Sequence, residues 1–192
     1  MSRALKGGQF EREICKLLSD WWTDGKRDDV FWRSSQSGGR ATQRAKSGKR
    51  TYGSYGDVAA VDPIGEPLMK FATIELKRGS SHGVPWDLIE SAPSKAVRVF
   101  EGALAQAKRS AMQAQSIGWM LIARRDRKRD IVYLDWRLYR RLGKRFECSV
   151  TFNLFINQDD DFPVRYRFVA IRLKEWLQKI TKRDIIRCLH EA

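Results

Sequence analysis

The stretch that most constrains the fold is residues 55–78, YGDVAAVDPIGEPLMKFATIELKR. It opens with Gly56 and Asp57, continues as a short apolar run over 58–61 and turns at 62–65. Residues 71–77 then alternate apolar and polar side chains, and this period of two predicts a β-strand with one buried face. Glu75 and Lys77 lie two apart, so they are expected to share a face. A hairpin pairing the two strands would place Asp57 beside them.

Two carboxylates and an ammonium group at one point would suit phosphoryl chemistry. Mg²⁺ is usually held by one or two carboxylates and keeps several waters, and a bound metal can activate water and neutralise charge on a phosphoryl oxygen. A nearby lysine can orient that water or act as a point charge. A Glu-x-Lys triplet arises by chance in about half of chains this long, so an ordinary exposed strand face is the alternative.

The charge balance restricts the partner. The chain has 192 residues, with 37 Lys and Arg against 23 Asp and Glu, and a net charge of +14. This excess favours nucleic acid over an anionic membrane. No apolar run approaches the roughly 20 residues that span a bilayer, and the N-terminus does not read as a signal peptide, so no membrane partner is expected. Three scattered cysteines without zinc-site spacing are expected to be thiols in a reducing compartment, the cytoplasm.

Residues 8–22 are predicted to form the first helix. Its apolar side chains recur at helical spacing and make one stripe, formed by Phe10, Ile14, Leu17, Leu18 and Trp21. Glu11 and Glu13 lie on opposite borders of that stripe. Most glutamates at such borders are merely solvated, but one of these two could reach a metal site.

A basic segment follows a short strand predicted at 30–33. Between Val30 and Gly56 there is no acid, and the basic residues are Arg33, Arg40, Arg44, Lys46, Lys49 and Arg50. The segment is rich in serine and glycine, and small residues allow a phosphate to approach the backbone while arginine and lysine neutralise it. We expect DNA contacts here, also from Ser34 and Ser37, with a solvated loop as the alternative.

The remaining pattern predicts helices and strands in alternation. A long helix is expected over 94–116, with Gln106 beside its apolar stripe. Residues 119–123 and 131–134 read as a β-hairpin whose tip carries Arg124 and Arg125, which could reach phosphates or remain solvated. Asp135 is expected to cap a short helix. Further strands are predicted at 149–156 and 164–171, with helices at 173–180 and 184–189.

In this order, the elements resemble the PD-(D/E)xK nuclease superfamily. Its pattern is a first helix with Glu, a strand with Asp, a strand with Glu-x-Lys and a helix with Gln, met here by Glu11, Asp57, Glu75 with Lys77, and Gln106. The opening KGGQFER at 6–12 resembles the Lys-Gly-x-x-x-Glu-Arg start of archaeal-type Holliday junction resolvases, which selects Glu11 over Glu13. RSSQSG at 33–38 is similar to the Arg and Ser/Gly loop of that group.

A closer likeness is to small phage-encoded nucleases with the phrases FWRSSQSGG and TIELKRG. The resemblance covers residues 6–125. The proline expected before the metal-binding aspartate is replaced by Gly56.

The resemblance implies an α/β fold, a restriction-endonuclease-like central mixed sheet flanked by helices, with a C-terminal β-hairpin and helix extension. It implies one nuclease domain over 1–192, with a core at 6–135 and the extension at 136–192. Mg²⁺, with Mn²⁺ able to substitute, would be held by Asp57, Glu75, the Leu76 carbonyl and Glu11. Lys77 would position water and Gln106 would orient the site.

The implied activity is endonucleolytic hydrolysis of DNA in the cytoplasm of a bacterial or phage-infected cell. Branched DNA is the preferred substrate, cut by a homodimer. The alternatives are a restriction-like, repair or packaging nuclease on duplex DNA, and a catalytically silent DNA-binding accessory protein. Asp57, Glu75 and Lys77 are all present, which argues against silence.

Overall fold

The structure is a computed structural model, and it describes residues 3–34, 55–79, 95–156 and 163–191. The helices are α1 (Arg3–Trp22), α2 (Glu66–Phe71), α3 (Lys95–Ala114), α4 (Trp136–Leu142), α5 (Leu173–Lys179) and α6 (Lys182–His190), with a 3-10 helix at Pro63–Gly65. The strands are β1 (Phe31–Arg33), β2 (Val58–Ala60), β3 (Ala72–Arg78), β4 (Gly118–Arg124), β5 (Ile131–Asp135), β6 (Ser149–Ile156) and β7 (Val164–Arg172).

A five-stranded mixed sheet in the order β3-β4-β5-β7-β6 forms the centre of the molecule. Strands β3 and β4 are parallel, and the other neighbours are antiparallel. A parallel pair needs a long crossover, and α3 lies in the connection between β3 and β4. The predicted α/β fold with a mixed sheet is confirmed. The C-terminal hairpin β6–β7 joins this sheet, because β7 pairs with β5.

The two faces of the sheet carry separate apolar clusters. On one face, Ile74 and Leu76 of β3 pack with Phe10 and Ile14 of α1. On the other face, Leu104 and its neighbours on α3 pack against β4, β5, β6 and β7. Burying each large aliphatic or aromatic side chain contributes about 1.5–3 kcal/mol. The two clusters therefore fix β3 between α1 and α3.

The prediction of a hairpin between residues 58–61 and 71–77 is wrong. Strand β2 pairs antiparallel with β1, with Phe31 opposite Ala60, in a separate two-stranded sheet. The turn at 62–65 contains a 3-10 helix, in which the Asp62 carboxylate accepts a hydrogen bond from the N–H of Ile64, and it continues directly into α2. A helix of six residues is too short to show a helical repeat of apolar residues, so the sequence pattern did not predict α2.

Most of the remaining elements were predicted within a few residues. The β4–β5 and β6–β7 pairs are confirmed, and Asp135 caps α4 by accepting a hydrogen bond from the N–H of Arg137. Cys15 and Cys188 are buried, Cys148 is exposed, and all three are free. Among the described helices, none combines the length and apolar character that crossing a membrane requires.

Candidate active site

Asp57 is held against the edge of β3 by two hydrogen bonds. Its N–H donates to the carbonyl oxygen of Ile74 at 2.8 Å, and its Oδ2 accepts from the N–H of Leu76 at 2.8 Å. The N–H and C=O of one strand residue point to the same side of the strand, so the carbonyl of Leu76 also faces this edge. Asp57 thus reaches β3 although β2 and β3 are not paired as a hairpin.

The backbone at Gly56 accepts only glycine without strain. Its φ is +80°, and a Cβ there would lie 2.7 Å from the carbonyl oxygen of Ile74 and 2.8 Å from Cγ2 of Thr73. Proline is confined to a φ near −65°, so the proline expected from the superfamily pattern cannot occupy this conformation. The close approach of Gly56 to β3 is what brings the next residue, Asp57, to the strand edge.

Ser34 supports the same segment from the end of β1. Its N–H donates to the carbonyl oxygen of Asp57 at 2.9 Å, and its hydroxyl donates to the carbonyl oxygen of Gly56 at 2.5 Å. The side chain is buried. Ser34 therefore positions the Gly56–Asp57 backbone, and its burial runs against the predicted DNA contact.

Glu75 is buried, with 1% of its surface exposed, and α3 holds both of its carboxylate oxygens. The Ser110 hydroxyl donates to Oε1 at 2.8 Å, and Nε2 of Gln106 donates to Oε2 at 2.9 Å. Lys77 places its Nζ 3.7 Å from Oε2 of Glu75 and donates to Oε1 of Gln106 at 3.1 Å. The structure thus brings Gln106, Lys77 and Glu75 together.

Ser110 was missed by the sequence reasoning. It follows Gln106 by four residues, so the two share one face of α3 and reach the same carboxylate. With Gln106 as a candidate, the spacing of four residues could have indicated Ser110 as a second side chain at the site.

The carboxyl groups of Asp57 and Glu75 are close enough to hydrogen-bond when one is protonated, with the O–H of Glu75 donating to Asp57. The pKa of Glu75 is raised to about 7, mainly by burial and then by the charge of Asp57, while Lys77 and the Ser110 hydroxyl oppose the rise. Carboxylate oxygens are hard ligands, and one or two of them commonly hold a small divalent cation. The donor set therefore fits a divalent metal, with Asp57, Glu75 and the Leu76 carbonyl as the groups that could hold it.

Glu11 and Glu13 point to different partners. Glu11 forms an ion pair and hydrogen bond with Nε of Arg33. The pKa of the buried Cys15 thiol is raised to about 12, first by burial and then by the charges of Glu11 and Asp57, with Arg33 opposing. The charges of Glu11, Arg33 and Asp57 therefore all lie near enough to Cys15 of α1 to affect its pKa.

Glu13 instead binds Nη1 of Arg124 at 2.5 Å. Across the described ranges, no three His, Cys, Asp or Glu residues group as ligands for one metal ion. The metal role of Glu11 stays a prediction.

The predicted DNA-binding arginines are engaged by carboxylates. Arg33 pairs with Glu11. Arg124 makes two hydrogen bonds of 2.7 Å to Asp130, and its guanidinium lies 4.7 Å from the centre of the Phe10 ring. Arg125 is partly exposed. The other predicted DNA contacts lie outside the described residues: Ser37, Arg40, Arg44, Lys46, Lys49 and Arg50.

An Asp on one segment and a Glu-x-Lys strand converge at the edge of a mixed α/β sheet, which is the pattern of the PD-(D/E)xK nucleases. In comparison with known families, residues 2–187 match the family described as phage putative PDDEXK endonuclease, and the chain belongs to that family. The match extends beyond 6–125 through most of the C-terminal third. No curated protein matches the chain, and no solved structure matches it. The chain is thus a nuclease by family, and nucleases of this class act on nucleic acid and generally use divalent metals.

Proposed function

We propose that this protein is a Mg²⁺-dependent DNA endonuclease that hydrolyses phosphodiester bonds, with Mn²⁺ able to substitute. The observation that carries the proposal is the contact of the Asp57 and Glu75 carboxyl groups, with the Lys77 ammonium linked to Glu75 through Gln106. A protein that only bound DNA would gain nothing from two adjacent acids, because they repel phosphate.

Asp57, Glu75 and the Leu76 carbonyl would hold the metal. When bound, it would polarise the phosphoryl oxygen and lower the pKa of a coordinated water. To hold a metal, the carboxylate oxygens of Glu75 need fixed positions. Ser110 and Gln106 would fix them, because each donates a hydrogen bond to one of the two oxygens. The neutral donors also leave the negative charge of Glu75 available to the cation.

Lys77 would act beside the metal as a positioned cation. Its ammonium donates to Gln106, which holds it at the rim of the site instead of leaving it free in solvent. There it can orient the attacking water or offset charge that develops on the phosphoryl group.

Arg33 would attract a phosphate, and Glu11 would contribute to the metal directly or through a water. In support, Glu11 and Arg33 form an ion pair, and the charges of Glu11, Arg33 and Asp57 all act on the Cys15 thiol. The basic segment that contains Arg40, Arg44, Lys46, Lys49 and Arg50, together with Arg124 and Arg125, would supply further phosphate contacts.

For the substrate, the resemblance to resolvases favours branched DNA, such as a Holliday junction, cut by a homodimer with two sites. This would take place in the cytoplasm of a bacterial or phage-infected cell, where such DNA is found.

The decisive experiment offers the protein a four-way junction, a duplex and a single strand, each with Mg²⁺, with Mn²⁺ or with EDTA. We expect cleavage that requires metal and is fastest on the junction. Asp57→Asn should abolish cleavage and leave DNA binding equal or tighter, since a negative charge is removed. Asp126→Asn, an exposed aspartate in the β4–β5 connection, is the matched control and should cut like the parent. Cleavage that persists in Asp57→Asn, or in EDTA, would refute the proposed site.

A further inference from the structure

Part of the face of the β6–β7 hairpin that points away from α3 is exposed, while further along β7 the same face is covered by α4 and buries Val169 and Ile171. Directly opposed residues of an antiparallel pair share a face, and the register pairs Asn153 with Arg167 and Phe155 with Arg165. All four side chains are exposed. We call these four residues the outer hairpin face.

The alternate residues of the two strands explain why this face is solvated. Phe152, Tyr166 and Phe168 point to the opposite side, where they join the apolar cluster under α3. Val169 and Ile171 of β7 are buried in the other cluster. Phe155 is exposed, so its ring adds little to the packing that holds the hairpin to the sheet.

Phe155 is the exposed aromatic residue of this face, with 67% of its surface accessible. An aromatic ring left in water forgoes the free energy of burial. Its cross-strand neighbour is Arg165 rather than an apolar residue. A ring beside a guanidinium matches the way single-stranded nucleic acid is bound, with a base stacked on the ring and the backbone phosphate on the cation.

Both arginines of the face are held in place before any ligand arrives. Nη2 of Arg165 donates to Oδ1 of Asn153 at 3.0 Å. The guanidinium of Arg167 lies 3.6 Å from the centre of the Trp136 ring, and Trp136 is itself stacked on Tyr139 at 5.4 Å. A pre-ordered arginine loses less side-chain entropy when it binds phosphate.

The charge of the face complements a polyanion. Neither Arg165 nor Arg167 is ion-paired to a carboxylate within the described residues, in contrast to Arg33 and Arg124. The hairpin connection 157–162, which contains three consecutive aspartates, lies outside the described residues. The positive charge of the outer hairpin face comes from Arg165 and Arg167, which both lie in β7.

This face is separate from the catalytic site. Glu75 lies on the α3 side of the sheet, and the outer hairpin face lies on the other side. Strand β6 is four positions from β3 in the sheet, which amounts to about 19 Å at 4.8 Å per strand. DNA bound here would be a part of the substrate other than the bond being cut.

We propose that the outer hairpin face binds single-stranded DNA, with a base stacked on Phe155 and neighbouring phosphates on Arg165 and Arg167. This rests on the proposed function only in taking DNA as the substrate, and it adds that the substrate presents an unpaired segment, as an opened branch or a flap does.

The test measures binding of a fluorescent 15-nucleotide oligothymidylate by anisotropy, in EDTA so that nothing is cut. Loss of one stacked base costs about 1–3 kcal/mol, so Phe155→Ala should weaken binding by a factor between about 5 and about 150. Phe155→Tyr keeps the aromatic ring and should retain parental affinity. Arg165→Ala and Arg167→Ala should each reduce the slope of log K against log salt by about 0.7 on a single strand.

Two variants control for loss of exposed apolar surface and of charge. Met112→Ala removes an exposed apolar side chain on α3, and Arg183→Ala removes an exposed arginine on α6. Both should bind the oligonucleotide like the parent. Phe155→Ala should keep the parental melting temperature, because its ring is exposed.

Unchanged affinity in Phe155→Ala, or an equal loss in the two controls, would overturn the proposal. A change of sedimentation coefficient in Phe155→Ala with unchanged DNA binding would also overturn it and assign the face to contact between two copies of the chain. The proposed nuclease function is tested separately, by the loss of metal-dependent cleavage in Asp57→Asn. Failure of the binding proposal therefore does not refute the nuclease proposal, and the reverse also holds.

Discussion

Replacing Glu75 by glutamine tests the charge of the candidate active site through protein stability. Burial and the neighbouring Asp57 raise the pKa of Glu75 from 4.5 to about 7. The folded protein then binds more protons than the unfolded chain between these values, so stability falls as pH rises through this window. At about 1.4 kcal/mol for each pH unit, the full cost of ionising Glu75 in the fold is about 3 kcal/mol. About 2.5 kcal/mol of it falls between pH 5 and pH 8.

Glutamine has nearly the same volume as glutamate but cannot ionise, so Glu75→Gln should remove this cost. Its amide can still accept a hydrogen bond from Ser110 or Gln106 and can donate one to Asp57. We therefore expect the variant to gain stability relative to the parent as pH rises. The gain at pH 8 should exceed that at pH 5 by about 2–3 kcal/mol.

The assay is urea unfolding of both proteins at pH 5 and pH 8 in EDTA. Glu66→Gln, on a glutamate of α2 that is largely exposed, is the matched control and should show the same small difference at both pH values. Adding Mg²⁺ at pH 8 should stabilise the parent and have little effect on Glu75→Gln, because a bound cation offsets the same repulsion. If Glu75→Gln changes stability equally at pH 5 and pH 8, Glu75 does not carry the raised pKa, and the reasoning fails.

Three further predictions concern the neighbours of this pair. Gly56→Ala places a Cβ 2.7 Å from the carbonyl oxygen of Ile74 at a positive φ, so it should lose about 2 kcal/mol or more in thermal unfolding; an unchanged melting temperature would contradict the strain. Glu11→Gln should slow cleavage more than Glu13→Gln, which removes only the charge that faces Arg124; equal rates would return Glu11 to a purely structural role. Replacing five basic residues of the segment between Val30 and Gly56 with alanine should flatten the salt dependence of DNA binding by about 0.9 per lost contact on a duplex, and an unchanged slope would place the DNA elsewhere; the five are Arg40, Arg44, Lys46, Lys49 and Arg50.

The local patterns of the sequence were enough to identify most elements and several site residues. The alternation in β3 predicted that Glu75 and Lys77 share a face, and the helical stripe of α1 placed Glu11 and Glu13 at its borders. Antiparallel neighbours close in sequence, such as β4 with β5, were also predictable. These features depend on periodicity and turns within about 15 residues, where the sequence pattern reflects burial directly.

Other features were decided only by tertiary structure. The sequence could not show that β3 pairs with β4 across α3, or that β2 pairs with β1. Strands β2 and β3 are both apolar, and pairing with each other or with other strands would bury them equally well. The same holds for the charged groups: Arg33 and Arg124 read as free cations, but folding places each beside a glutamate of α1. Ser110 reaches Glu75 because α3 packs across β3, 35 residues away along the chain. Such contacts depend on which distant segments pack together, and side-chain periodicity carries no information about that choice.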